Sequence, residues 1–238
     1  MPAIVNNSEQ SPAAERLVLA VDTCGPAGSV ALGRLDGGVA EILGQVELEG
    51  RSYSATLVAA VGELLARAGL RVADLGAMVA VNGPGSFTGV RVGLSAVKGL
   101  AEAARIPVTA VSRLEVLAWK VGVESSALDA HRHEIFLRLG LAAGKAREVL
   151  AGAEELKALR PADARIAVCD EGAERLLESA WPSVELVGTD APKAADALRL
   201  AGARGPAGEF QDVALLDGHY LRRSDAEIFG EVAKVRGA

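Results

Sequence analysis

Asn82-Gly83-Pro84-Gly85-Ser86-Phe87-Thr88-Gly89-Val90-Arg91-Val92-Gly93 stands between a short apolar run, Ala77 to Val81, and a long stretch of helical periodicity. Glycines around Pro84 let the chain turn sharply, and Ser86 or Thr88 can cap the helix that begins there. Such a turn aims backbone N–H groups at one point, where an anion can be held. Val90 stands where a P-loop would carry lysine, so a plain strand-to-helix turn and an anion cradle are both open. Further along, Gly89, Gly93 and Ala96 leave a strip of small side chains that permits close packing. Val90, Val97, Ala101 and Ala104 form an apolar stripe, and Phe87, Arg91, Leu94 and Lys98 lie on a different face, serving either the core or a partner.

Upstream of this turn, three strand-like stretches, Leu17 to Asp22, Ser29 to Leu35 and Val39 to Glu47, are separated by turn signals at Gly25-Pro26-Ala27-Gly28 and Asp36-Gly37-Gly38. A helix follows from about Ser52 to Ala68. Downstream, the helix from Ser86 stops near Arg105, ahead of Pro107, and strand Val108 to Val111 leads into a helix from Arg113 to Val121. The second half repeats the pattern. Ala127 to Asp129, Glu134 to Leu141 and Arg147 to Leu150 read as strands, with Ala142-Ala143-Gly144-Lys145 as a connection. Helices at Glu154 to Leu159, Ala173 to Ala180 and Lys193 to Ala201 then alternate with strands Arg165 to Cys169 and Val184 to Val187. Each half closes its first strand on an aspartate, Asp22 and Asp129. The pattern predicts a duplicated α/β fold of two lobes, each a mixed sheet flanked by helices, of the actin-like, ribonuclease H-like kind. The expected division is a disordered tail over 1–16, an N-terminal lobe over 17–111 and a C-terminal lobe over 112–238.

Composition narrows the function classes. Of 238 residues, 50% are apolar and 24% charged, as in globular proteins. Aromatics at 3% argue against base-stacking platforms as the working surface, and 25 basic against 31 acidic residues, a net charge of −6, leave no basic footprint for a phosphate backbone. Cys24 and Cys169 are too far apart in sequence for a metal-ligand spacing and too few for a disulfide scaffold, which points to a reducing, cytoplasmic setting. The first sixteen residues lack the basic start and apolar stretch of a secretory signal, and no apolar run reaches the ~20 residues that span a bilayer.

Catalytic constellations are sparse. His131 and His133 flank Arg132, and His219 stands alone; surface or hydrogen-bonded roles fit them better than a metal site. Cys24 has no histidine near it in sequence and no sign of activation. Asp22 with Thr23, and Asp129 at the equivalent place, resemble the carboxylates that hold hydrated magnesium and phosphate in actin-like ATPases, though a strand-ending aspartate is also a common turn former. The helix from Ser52 to Ala68 carries Leu57, Val58, Val61, Leu64, Leu65 and several alanines, with only Glu63 and Arg67 charged in its body. Apolar on all sides, it is expected to be central or half of an interface.

Val18-Leu19-Ala20-Val21-Asp22-Thr23, Gly28-Ser29-Val30-Ala31-Leu32, the run Gly83 to Gly93 and Pro107 to Leu114 together resemble the bacterial TsaB (YeaZ) family. Weaker matches run through Leu128-Asp129-Ala130, Glu134-Ile135-Phe136 and Tyr220-Leu221-Arg222. The resemblance implies an actin-like fold and a part in making threonylcarbamoyladenosine at position 37 of tRNAs reading codons that start with A. There TsaC makes threonylcarbamoyl-AMP, TsaD transfers from it to the adenosine, TsaB is the obligatory partner of TsaD, and the ATPase TsaE joins them. TsaD carries two metal-binding histidines four apart just after the strand that follows its Gly-rich helix. The corresponding stretch here is Ser112-Arg113-Leu114-Glu115-Val116-Leu117, with Arg113 and Leu117 at the aligned places, and neither side chain binds a divalent metal. Many relatives also have glycine before Glu134, where this chain has His133. The resemblance implies a partner subunit with no catalytic residues, cofactor or metal of its own, and contact with tRNA only through its complex. Its docking surface for TsaD, or for a second copy, would be the first two helices, with Tyr53, Leu57, Val61, Phe87, Arg91, Leu94 and Lys98 as contacts. The rival readings are an active ATPase or kinase holding a magnesium nucleotide on Asp22, Thr23 and Asp129, and a metallopeptidase.

Overall fold

The computed structural model describes residues 16–50, 52–141, 145–161, 164–204 and 210–222. The tail expected over 1–16 lies outside them except for Arg16, and so does most of the connection at 142–145. Strands β1 (Arg16–Asp22), β2 (Ala27–Asp36) and β3 (Val39–Glu49) pair antiparallel. Helix α1 (Tyr53–Arg67), β4 (Ala77–Val81), α2 (Phe87–Ala104) and β5 (Val108–Val111) follow, β4 joining β1 and β5 joining β4, both in parallel. The first sheet is thus ordered β3-β2-β1-β4-β5.

After α3 (Arg113–Lys120) the same program runs again. It comprises β6 (Ser125–Asp129), β7 (Glu134–Gly140), β8 (Ala146–Gly152), α4 (Ala153–Ala158), β9 (Arg165–Val168), α5 (Glu171–Ala180), β10 (Glu185–Gly188) and α6 (Ala194–Ala203). The second sheet, β10-β9-β6-β7-β8, is the first one read in the opposite direction, strand for strand. The duplicated, two-lobed actin-like fold is what the repeated pattern predicted, and the strand and helix positions agree to within a few residues.

Helices cover both faces of the first sheet, which is why β4 and β5 are buried at every position instead of alternating. Neighbouring residues on β2 point to opposite faces. Gly28 abuts the Tyr53 ring, and Gly44, paired with Leu32, abuts Leu64, so α1 lies on that side. The other side holds Ser29, whose Oγ accepts from the Ala194 N–H at 2.8 Å, and Gly33, which abuts Leu198. That side belongs to α6.

The expected lobe boundary therefore needs correction. Residues 112–238 do not make one lobe: Ala194, Ala197, Leu198 and Leu200 of α6 belong to the first sheet's core. Of the described residues that follow, Gln211 also returns to the first sheet, donating its N–H to Val108 O at 2.8 Å, and His219 donates its N–H to Asn82 O at 2.7 Å. An apolar helix face records that it needs a sheet to cover, but not which of two. The second sheet keeps its own core, centred on Ile135, Leu137, Leu156, Ile166 and Leu177.

Candidate functional site

The first strand delivers Asp22 to the place where the two halves meet, and everything polar around it is satisfied from within the chain. Its Oδ1 accepts the Cys24 N–H at 2.8 Å. Its Oδ2 faces Nε of Arg113, the first residue of α3, at 3.4 Å, and the pair is buried on both sides, with side chains 2% and 7% exposed. Burial opposes the Arg113 charge, but the attraction and hydrogen bond of Asp22, together with smaller contributions from Cys24 and Cys169, raise the guanidinium in sum. The guanidinium lies against Gly25, in space that any side chain there would need. Tyr53 donates its O–H to Gly25 O at 2.8 Å, and burial together with Asp22 pushes its phenol up to about 12. Burial, then Asp22, pushes the Cys24 thiol well up; its Sγ donates to Val81 O at 3.2 Å. A thiol held this way is no nucleophile.

The glycine-rich turn proves to be a packing device. Thr23 is buried under the start of α2, its Oγ1 donating to Gly89 O at 2.7 Å, and Gly93 lies directly against the same hydroxyl. Ser86 Oγ caps α2 by accepting the Gly89 N–H at 3.2 Å, the Val90 N–H goes to Ser86 O at 2.9 Å, and the Ser86 N–H goes to Cys24 O at 2.7 Å. Three N–H groups at this turn, those of Ser86, Gly89 and Val90, are thus bound within the chain, and the turn serves to pack the start of α2 against the end of β1.

Asp129, the counterpart of Asp22, lies far from free as well. Its N–H donates to Asp170 Oδ2 at 3.0 Å, and its Oδ1 accepts the His131 N–H at 2.7 Å. Its Oδ2 meets His131 Nδ1 at 3.0 Å, and its carboxylate packs on Gly172 in the first turn of α5. A magnesium nucleotide on Asp22, Thr23 and Asp129 therefore does not fit: a buried cation already sits on Asp22, Thr23 is sealed under α2, and Asp129 is held by its own loop. His131, Arg132 and His133 in that loop all take left-handed backbone, with φ of 59°, 58° and 62°.

A second junction was not foreseen. Glu148 on β8, its side chain 8% exposed, binds Arg138 Nη1 through Oε1 at 2.9 Å, and through Oε2 both Ser112 Oγ at 2.7 Å and His219 Nε2 at 2.8 Å. Burial raises its pKa, but the bonds from His219, Ser112 and Arg138 prevail and hold it below the usual carboxylate range. The carboxylate ties the second sheet to the head of α3 and to the returning C-terminal strand of chain. No local pattern announces this: the four residues are brought together only by the fold.

The expected docking residues divide. Tyr53, Leu57, Val61 and Leu94 are core residues, 6%, 1%, 2% and 4% exposed, so the structure overturns them as contacts. The three on α1 face the sheet, and the outward side of α1 is instead made of small or polar residues, among them Ala55, Ala59, Gly62, Glu63 and Arg67, around one exposed Val58. Phe87 and Arg91 are exposed as expected. Lys98 is half-buried, its Nζ donating to Leu216 O at 2.9 Å and Ala214 O at 3.3 Å.

Solved structures place this arrangement. YeaZ from Pseudomonas aeruginosa aligns with a TM-score of 0.69 and 32% identity over 87% of this chain and all of that one. A second structure from that organism, an uncharacterized protein with similarity to peptidase YEAZ, aligns at 0.71 and 31% over the same shares. The chain belongs to the TsaB (YeaZ) family. The TsaB protein of Bacillus subtilis is 36% identical over 126 residues, 51% of this chain and 54% of that protein, and that of Escherichia coli 35% over 125 residues, 50% and 52%. This TsaB-family chain thus spans about half the length of these two named relatives in the matched region. The family model of TsaD, tRNA N6-adenosine threonylcarbamoyltransferase, matches residues 43–156, a span running from β3 to α4 and so through both sheets. Among the described residues no helix is long and apolar enough to cross a membrane.

Proposed function

We propose that the chain is a non-catalytic partner subunit in the biosynthesis of threonylcarbamoyladenosine in tRNA, acting by binding TsaD, with TsaE joining the pair, in the cytoplasm. Its relatives are named for that pathway, and the TsaD family model matches its centre. The observation that carries the non-catalytic part is the Arg113–Asp22 ion pair. A side-chain cation fixed on the first strand's aspartate takes the ground that a metal or nucleotide would need. The docking face is the outer side of α1 and α2, reduced from the earlier expectation to Val58 and its small neighbours on α1 and to Phe87, Arg91 and the residues about them on α2. Small residues let a partner helix approach closely, and a specific contact should bury at least about 1,000 Å² in all.

The test is reconstitution of the modification from TsaC, TsaD and TsaE with and without this chain, read as modified adenosine in digested tRNA. The expected result is product only when the chain is present together with TsaD. Full modification without the chain, or transfer by the chain without TsaD, overturns the proposal.

A further inference from the structure

Helix α2 carries three charged residues, Arg91, Lys98 and Glu102. The ammonium of Lys98 is engaged by two backbone carbonyls. Glu102 lies eleven residues beyond Arg91, about 16 Å along the helix. Arg91 is exposed, and the described residues give its guanidinium neither a hydrogen bond nor a carboxylate. It does not hang loose, however. Its Cζ sits 3.7 Å from the centroid of the Phe87 ring, one turn earlier, and 5.9 Å from that of Tyr220, and the two rings lie 5.2 Å apart. The bracket lines a groove of about 290 Å³ between α2 and residues 216–220. Among the described residues the one acid on the groove's wall, Asp217, turns its Oδ1 back to the Gly218 N–H at 2.7 Å.

We propose that Arg91, braced by Phe87 and Tyr220, is the receptor for a carboxylate on the partner subunit, an Asp or Glu side chain that enters this groove when the two proteins dock. The inference rests on the partner-subunit reading above and adds the chemistry of the contact. A guanidinium stacked on an aromatic face keeps its donor edge free, and that planar edge matches a carboxylate two bonds at a time. Because the rings already hold it, little side-chain freedom is lost on docking. Its surroundings suit a protein rather than a small anion: Phe87 and Tyr220 are 40% and 38% exposed, and Leu215 beside the groove is 79% exposed. Arginine and large aromatics together at the centre of a patch are the composition of an interface hot spot.

The experiment measures the affinity of the full chain for TsaD with Arg91 intact and as Arg91→Gln, Arg91→Lys and Arg91→Glu, alongside thermal unfolding of each variant alone. Loss of a hydrogen-bonded charge partner at a buried contact predicts that Arg91→Gln weakens binding about 30-fold or more. Lysine, which keeps the charge without the fork, should recover only part of that, and all variants should melt with the parent. Changing the acids of TsaD one at a time to arginine should yield one variant whose binding is restored by Arg91→Glu. Unaltered affinity of Arg91→Gln overturns this inference and leaves the partner reading intact, whereas a parent chain that does not bind TsaD defeats the partner reading itself. A lowered melting temperature with unaltered affinity places the acid within the chain's own sequence, where Asp225, Glu227 and Glu231 follow Tyr220. Loss of self-association alone places it on a second copy. Either result also overturns the proposal.

Discussion

Replacing Arg113 with methionine leaves a chain of similar volume and removes the only cation paired with Asp22 among the described residues. At 3.4 Å and an effective dielectric constant of about 20, the attraction removed is about 5 kcal/mol. What stays behind is a carboxylate with one backbone donor, the Cys24 N–H, in surroundings with almost no water. Breaking a buried pair from one side costs about 3–5 kcal/mol in proteins generally, in accord with that figure. In urea, with a slope of about 3 kcal/mol per molar for a chain of this size, the unfolding midpoint should fall by about 1–2 M. The double variant Asp22→Asn with Arg113→Met should be more stable than Arg113→Met alone, because no unpaired charge remains. Arg113→Met within about 1 kcal/mol of the parent, a change typical of an ordinary surface or mild core substitution, would refute the account of a buried, mutually dependent pair. So would strict additivity in the double variant. Tight calorimetric binding of magnesium ATP to the parent chain would refute the further step, that the guanidinium holds the ground a nucleotide would need.

Acid should loosen the Glu148 junction. Its folded pKa is depressed, so its contribution is present above the unfolded carboxylate value and is lost as pH falls through the folded one; Glu148→Gln should flatten the acid limb of a stability profile followed by circular dichroism. Leu57→Ala and Leu94→Ala should each cost about 2–5 kcal/mol in denaturant unfolding, while Val58→Ala, at a position 60% exposed, should leave stability within about 0.5 kcal/mol and affect association alone. Arg132→Gly should raise stability by up to about 1 kcal/mol, since glycine accepts a left-handed backbone that costs other residues about 1–2 kcal/mol; a lowered unfolding midpoint would count against strain in that loop.

Much of this architecture was legible in the order of residues. Strand and helix periods differ, so β1 to β10 and α1 to α6 could be placed by pattern, and the recurrence of three strands followed by alternation exposed the duplication. The run from Gly83 to Gly93 carried the family. Its glycines sit where Thr23 and the Cys24 carbonyl press on α2, so the motif that identifies the chain is also the one that packs it.

The faces of α1 and α2 were decided elsewhere. Alanine and glycine are nearly neutral between water and core, so a helix rich in them shows no clear dry side, and Leu57, Val61 and Leu94 read as contacts when the chain's own core was claiming them. The Arg113–Asp22 pair, the Glu148 junction and the return of α6 to the first sheet join residues far apart in the chain. Their energies come from burial and from distances of a few ångströms, quantities that exist only once both halves are folded together. Local pattern determined which elements form and in what repeat; the tertiary structure alone decided which sides face inward, which charges meet, and that Arg91 faces the groove beside Phe87 and Tyr220.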